Sequence, residues 1–131
     1  MNSIILVLGC TGQDGSYLCR SLLQKNLTVI GGSRTSEPKR NKHIALGIKQ
    51  NFPIVKADLS NSCSIEKLIN KYKPTQIYNL SAQSSVGKSF IHPLETQTSI
   101  VNSTFNLLEA ARKLKYQGRI FFAGSSEIYG N

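Results

Sequence analysis

The stretch Gly9-Cys10-Thr11-Gly12-Gln13-Asp14-Gly15 decides the reading of this chain. It follows the apolar run Ile4-Ile5-Leu6-Val7-Leu8 and precedes a segment of helical periodicity, so its glycines stand where a strand turns into a helix. At such a turn a backbone without side chains can approach a pyrophosphate, and the unpaired N–H groups of the helix's first turn hold the anion. Gly9 is expected to permit the tight turn, Gly12 the close approach to phosphate, and Gly15 the packing of helix on strand. A GxxGxxG spacing alone also fits a flexible turn. The strand before it and the helix after it favour the phosphate loop.

Outward from the loop, strand and helix alternate. The run over Ile4–Leu8 is continuous, as in a parallel strand covered on both faces. A helix from Gln13 to Lys25 places Tyr17, Leu18, Leu22 and Leu23 on one face, with Asp14 in its first turn. Strands are expected over 27–33 and 53–57, with a loop over 35–41 and a short helix over 43–50 between them. Ser60, Asn61 or Ser62 caps a helix whose Ile65, Leu68, Ile69 and Tyr72 share a face; Pro74 stops it, and strand four covers 76–80. Ser81 to Pro93 reads as a functional loop. A long helix over 95–115 follows, with Ile100, Val101, Thr104, Leu107, Leu108 and Ala111 inward and Gly118 ending it, and strand five covers 119–123. This alternation predicts an α/β fold, a doubly wound parallel sheet of strand order 3-2-1-4-5.

The 131 residues amount to one domain, with 40% hydrophobic and 18% charged residues. No apolar run approaches the ~20 residues of a membrane span, and no signal peptide is evident, so a cytoplasmic protein without membrane association is expected. Cys10, Cys19 and Cys63 form no CxxC, which fits a reducing compartment and no metal site. His43 and His92 are isolated and read as surface or loop histidines. The formal charge of +9 favours anionic partners such as nucleotide phosphates. Nucleic acid is disfavoured, because the basic residues are scattered and no aromatic residues interleave them.

In a sheet of this order, ligands bind beyond the carboxyl ends of the strands, where Gly9 to Gly15, Arg34, Asp58, Ser81 to Ser85 and Ser125 to Glu127 all fall. Strand two ends in Arg34 with no acid before Glu37, which favours NADP over NAD; the alternative is a loop cation. Asp58 either accepts from an adenine amino group or precedes a helix cap. Glu127, after Ser125 and Ser126, stands where a general base would, with Ser125 donating to a reacting oxygen; a plain loop carboxylate is the other reading.

The strings Gly-Cys-Thr-Gly-Gln-Asp-Gly-Ser-Tyr-Leu (9–18), Ile-Tyr-Asn-Leu-Ser-Ala-Gln-Ser-Ser-Val-Gly (77–87), Asn-Leu-Leu-Glu-Ala (106–110) and Ala-Gly-Ser-Ser-Glu-Ile-Tyr-Gly (123–130) resemble the GDP-mannose 4,6-dehydratases, extended short-chain dehydrogenase/reductases. The resemblance runs the length of the chain. It implies a Rossmann-type domain holding NADP through Gly9, Thr11, Gly12, Gln13, Asp14, Gly15, Arg34, Asp58, Leu59, Leu80, Ser81, Ala82 and Gln83. It also implies conversion of GDP-mannose to GDP-4-keto-6-deoxymannose, with Glu127 removing the proton from carbon 5, Ser125 bonding the oxygen on carbon 4, and Ser84 and Ser126 near the substrate. Ser126 stands where dTDP-glucose dehydratases carry Asp, and sugar-nucleotide epimerases lack the glutamate. Leu8, Thr35, Glu95 and Ser103 depart from the family's usual Thr, Arg, Tyr and Gly.

The family's YxxxK pair has no counterpart: in no case does Lys stand four residues after a Tyr here. Residues 1–131 are therefore expected to be the N-terminal part of an NADP-binding Rossmann domain, cut after strand five. The sugar-nucleotide domain is then absent and the chain is inactive alone. A non-catalytic dinucleotide-binding remnant and another sugar-nucleotide dehydratase or epimerase remain as alternatives, and homo-oligomer formation is compatible with the resemblance.

Overall fold

The computed structural model describes residues 3–82, 85–124 and Tyr129. Five parallel strands, β1 Ile4–Leu8, β2 Thr28–Ser33, β3 Ile54–Lys56, β4 Gln76–Asn79 and β5 Arg119–Phe122, lie in the order β3-β2-β1-β4-β5. This is the expected doubly wound sheet. Its central strand, β1, pairs along its length with β2 (Ile4 to Thr28, Leu8 to Gly32) and with β4 (Ile5 to Gln76, Leu8 to Asn79).

Side chains of β1 alternate between two cores, because successive Cβ atoms point to opposite faces. Ile5 and Val7 pack with Val29, Cys19, Leu22, Ile48 and Phe52, under α1 (Gln13–Gln24) and α2 (Asn41–Ala45). Leu6 and Leu8 pack with Ile30 and Ile77 under Ile65, Leu68 and Ile69 of α3 (Ser62–Tyr72) and Leu107 and Ala110 of the last helix. The unbroken apolar run of β1 reflects this two-sided burial.

Of the three candidate caps for α3, Asn61 serves: its Oδ1 accepts from the N–H of Cys63 (2.9 Å) and of Ser64 (3.4 Å). In α1 the buried face is Gly15, Ser16, Cys19 and Leu22, while Tyr17, expected inward, is 56% exposed. The chain between β4 and the last helix also differs from expectation. A short helix, α4 (Val86–Ile91), lies within the expected loop, opened by Ser85, whose side chain accepts from Lys88 N–H.

The expected helix over 95–115 is instead α5 (Pro93–Gln97), a wider π turn (Thr98–Asn102) and α6 (Ser103–Lys113). Ser103 Oγ lies 3.2 Å from the carbonyl of Thr98 and Thr104 Oγ1 2.6 Å from that of Ile100, side-chain bonds that compete with the helical ladder. The wider turn shifts the helical phase of α6. Ser103, Leu107 and Ala110 face the core, while Leu108, expected inward, is 52% exposed. Val101, also expected inward, is exposed too, as are Phe105 of α6 and Phe121 and Phe122 of β5.

The last helix ends at Lys113 and the turn is made by Lys115 at φ +49, not by Gly118. Gly118 serves a different need, since a Cβ there would lie 2.6 Å from the Thr75 carbonyl oxygen and against the Tyr116 hydroxyl. Lys73, which closes α3 at φ 45 and ψ 52, is likewise left-handed. That conformation costs a side-chain-bearing residue about 1–2 kcal/mol, and glycine's entropy loss offsets part of the relief. Lys73→Gly should therefore raise stability by about 0.5–1 kcal/mol, read from the urea midpoint at unchanged slope.

Candidate functional site

The glycine loop rises from the carboxyl end of β1 and is held on both flanks. Gly9 N–H donates to Gly32 O at 3.1 Å, and Leu80 N–H to Leu8 O at 2.9 Å, so the ends of β2 and β4 stay level with it. Gly9 has φ +80, and a Cβ there would lie 2.5 Å from Leu80 O and 2.8 Å from Ser81 Cα. Only glycine meets both conditions. Gly12 N–H closes the turn onto Gly9 O at 3.1 Å, and a Cβ on Gly15 would stand 2.2 Å from that same oxygen. Gly9 thus makes the turn and Gly15 lets α1 lie against it.

Gly12 differs, because no protein atom demands its lack of a side chain: the nearest to a Cβ would be Gly9 O at 3.4 Å. It is exposed and caps α1, whose first ladder bond runs from Ser16 N–H to Gly12 O at 3.0 Å. The N–H groups of Gln13, Asp14 and Gly15 precede that ladder at the positive end of the helix. This bare backbone is a cradle that a side chain would fill, and it suits an anion.

A cleft of about 810 Å³ opens beside the loop at the carboxyl edge of the sheet. Gly9, Thr11, Gly12, Arg34, Asp58, Leu59, Leu80, Ser81 and Ala82, nine of the residues singled out from the sequence, line it. Gln13 and Asp14 are exposed on the first turn of α1 outside the lining, and Gly15 is buried beneath the loop. Gln83, Ser84, Ser125, Ser126 and Glu127 lie outside the described residues.

Polar contacts fix the cleft's walls. Asp58 Oδ1 accepts from Ser60 Oγ at 2.6 Å and from Ser60 N–H at 3.0 Å; these bonds hold its carboxyl below the usual range and keep it charged. Asn106 Nδ2 donates to Leu59 O at 3.0 Å, which ties α6 to the chain after β3. At the end of β4, Asn79 Oδ1 accepts from Ser81 Oγ at 2.6 Å. Arg34 is exposed on the rim, with Lys39 along the same wall.

Thr98, Ser99 and Ser103, which also line the cleft, were not among the sequence candidates. The signal available for them was the density of Ser and Thr over 96–104 inside an expected helix. Burial raises the thiol of Cys10 to about 11 and that of Cys19 to about 12, so neither is a thiolate nucleophile at neutral pH. Among the described residues no cluster suits a metal ion, and no helix is long and apolar enough to cross a membrane.

A family model described as GDP-mannose 4,6 dehydratase matches residues 6–131. The chain belongs to this family. GDP-mannose 4,6-dehydratase of Yersinia enterocolitica is 38% identical over 133 residues, covering 95% of this chain and 36% of the relative. The Homo sapiens protein is also 38% identical, covering 98% of this chain and 37% of its own length. The chain thus spans little more than a third of these relatives. Among solved structures, UDP-glucose 4-epimerase of Thermus thermophilus, a complex with NAD, aligns at TM-score 0.76 and 26% identity over 90% of this chain and 36% of its own. The Brucella ovis UDP-glucose 4-epimerase aligns at TM-score 0.84 and 22% identity over 98% of this chain and 38% of its own, a likeness of fold.

Within this family architecture the loop tolerates no Cβ at positions 9 and 15. Gly15→Ala would drive a methyl into Gly9 O, and neither backbone segment can yield. The loss of stability should be about 1–3 kcal/mol, read from the urea midpoint. Gly12→Ala, which meets only an ordinary contact in the protein, should by the same measurement leave stability within about 1 kcal/mol.

Proposed function

We propose that the cleft binds NADP and that the chain forms the cofactor-binding part of a GDP-mannose 4,6-dehydratase in the cytoplasm. The observation that carries this reading is the juxtaposition of the bare Gly12 cradle at the start of α1 with the cationic Arg34 rim in one cleft. Family membership and the NAD complex of the Thermus epimerase support a nicotinamide dinucleotide. When bound, that group accepts a hydride from carbon 4 of the sugar and later returns it to carbon 6.

In this reading the first turn of α1 and Thr11 receive the pyrophosphate, and Arg34 receives a 2′-phosphate. Asp58, kept charged by Ser60, has its second carboxylate oxygen available for an adenine amino group. Leu59 and Ala82 supply apolar walls and Ser81, with Gln83, the polar flank by β4. Glu127 takes the proton on carbon 5, which the neighbouring ketone has made acidic, and Ser125 hydrogen-bonds the oxygen on carbon 4. Ser84 and Ser126 flank the sugar nucleotide.

A charge-assisted hydrogen bond to phosphate contributes about 1.5–3 kcal/mol. Calorimetric titration should therefore show NADP bound more tightly than NAD, with the preference falling by about 10-fold or more in Arg34→Ala. Equal affinities in the unmutated chain would remove the Arg34 assignment. Because no Tyr here has a Lys four residues on, these 131 residues by themselves should not convert GDP-mannose in the presence of NADP. The assay is the alkali absorbance of the 4-keto product, and turnover abolished by Glu127→Gln would show that another group serves as the base for oxidation.

A further inference from the structure

Expected as a surface or loop histidine, His43 is instead fully buried, at 0% exposure, in α2, which has only five residues. Its Nε2 lies 2.8 Å from the carbonyl oxygen of Cys10, inside the glycine loop, and its Nδ1 accepts from Arg40 Nε at 2.9 Å. A guanidinium is always a donor, so Nδ1 presents its lone pair and the ring's proton sits on Nε2, donated to Cys10 O. The tautomer is set by Arg40.

Arg40 is itself held in place. Its guanidinium lies 4.8 Å over the Phe52 ring and Nη2 reaches Phe52 O at 3.4 Å, while Phe52 packs edge-on against His43 at 5.1 Å. Ser16 Oγ lies 2.6 Å from Gly12 O and 3.2 Å from Cys10 O, so its single proton serves mainly Gly12. The close donor to Cys10 O is therefore His43. In a trans peptide the C=O and the following N–H lie in one plane and point in opposite directions. With the Cys10 carbonyl drawn down onto a buried ring, the Thr11 N–H points the other way, out of the core where Thr11 lines the cleft.

We propose that Arg40 and His43 are positioning residues that preset the phosphate loop by locking the Cys10–Thr11 peptide through the neutral Nε2–H tautomer of His43. The proposal rests on the dinucleotide reading of the cleft. It assigns His43 no contact with ligand, and it predicts that affinity tracks the hydrogen bond to Cys10 rather than the ring itself.

The groups facing His43 are Arg40, Lys42, the Cys10 carbonyl and Phe52. Burial chiefly, with the Arg40 and Lys42 charges, holds its pKa below the ordinary 6.5, against the opposite pull of the Cys10 bond. A group buried neutral in this way contributes stability in full above its unfolded pKa, and loses it as pH falls toward the lower folded value. The added proton would have to enter at Nδ1, facing the Arg40 Nε–H, and would break the relay.

The test uses two substitutions of like size. Gln places an amide donor at the position of Nε2, whereas Asn places its amide at the position of Nδ1. His43→Gln should keep NADP affinity within about 3-fold, and His43→Asn should lose about 10-fold, the equivalent of one hydrogen bond. In the cofactor-free chain, hydrogen exchange at Gly12, whose N–H is bonded to Gly9 O, should be faster in His43→Asn than in His43→Gln. Matching affinity and matching exchange in the two variants would overturn the relay. Failure of the unmutated chain to bind either dinucleotide would remove the cleft reading, and the exchange comparison would still decide the relay. Should His43→Asn not fold, Arg40→Gln, with a partly exposed side chain replaced, tests the same step. Loss of the facing donor and charge raises the His43 pKa, so the acid limb of NADP affinity should move to higher pH. An unmoved limb, with affinity lowered equally at every pH, would show a structural role only and overturn the proposal.

Discussion

The contact on which the rest of this structure depends is the approach of Gly9 to the end of β4, where a single Cβ would collide with Leu80 O. That approach brings the turn after the central strand level with the ends of β2 and β4, and the cleft is the space left between them. A left-handed residue at this point then sends the chain directly into α1, with Gly15 tucked under the same carbonyl that closes the turn onto Gly12. Two glycines are demanded by the protein; the third, Gly12, meets no such demand and leaves a bare cradle at the helix start. The division explains why a spacing of three glycines carries more meaning when a strand and a helix flank it.

Two cores of unequal character support this turn. On the α3 and α6 face the core is aliphatic, with Leu6, Leu8, Ile65, Ile77 and Leu107 almost wholly withdrawn from solvent. On the α1 and α2 face it includes two thiols and abuts His43, so polar groups lie directly under the loop. Burial stabilises both, at about 25 cal/mol per Å² of apolar surface. Only the second also orients a backbone carbonyl, because a hydrogen bond has direction and an apolar contact has none.

Strands, crossovers and strand order were legible because long apolar runs and amphipathic periods repeat the same signal over many residues. The nine cleft-lining candidates were legible for a related reason: topology alone brings strand ends together, so position was enough to identify them. Single side chains were harder. Tyr17 has the right spacing for the core, yet α1 buries Leu22 together with Gly15, Ser16 and Cys19, three small residues that let the helix sit close to the sheet. Leu108 was misplaced because a wider turn at Thr98–Asn102 resets the helical phase, an effect of Ser103 and Thr104 bonding to carbonyls and invisible to hydropathy. The burial of His43 is not legible locally because it comes from Phe52 and Cys10, distant in sequence. The spacing of Arg40 to His43, three residues on a helical turn, was the one local hint.

The site divides its labour between backbone and rim. N–H groups at a helix start recognise a pyrophosphate without regard to what the ribose carries, so the loop fits any dinucleotide of this class. On the proposed reading, discrimination comes from exposed side chains such as Arg34, which contribute little to folding. The proposed relay under Cys10 would serve the first of these, since it acts on a peptide group and not on a selective side chain. A substitution on the rim should therefore exchange one cofactor for another at constant stability, whereas a substitution beneath the loop should weaken all of them together. On this proposal selectivity and affinity are separable, because one would rest on side chains in solvent and the other on a peptide plane held from the core.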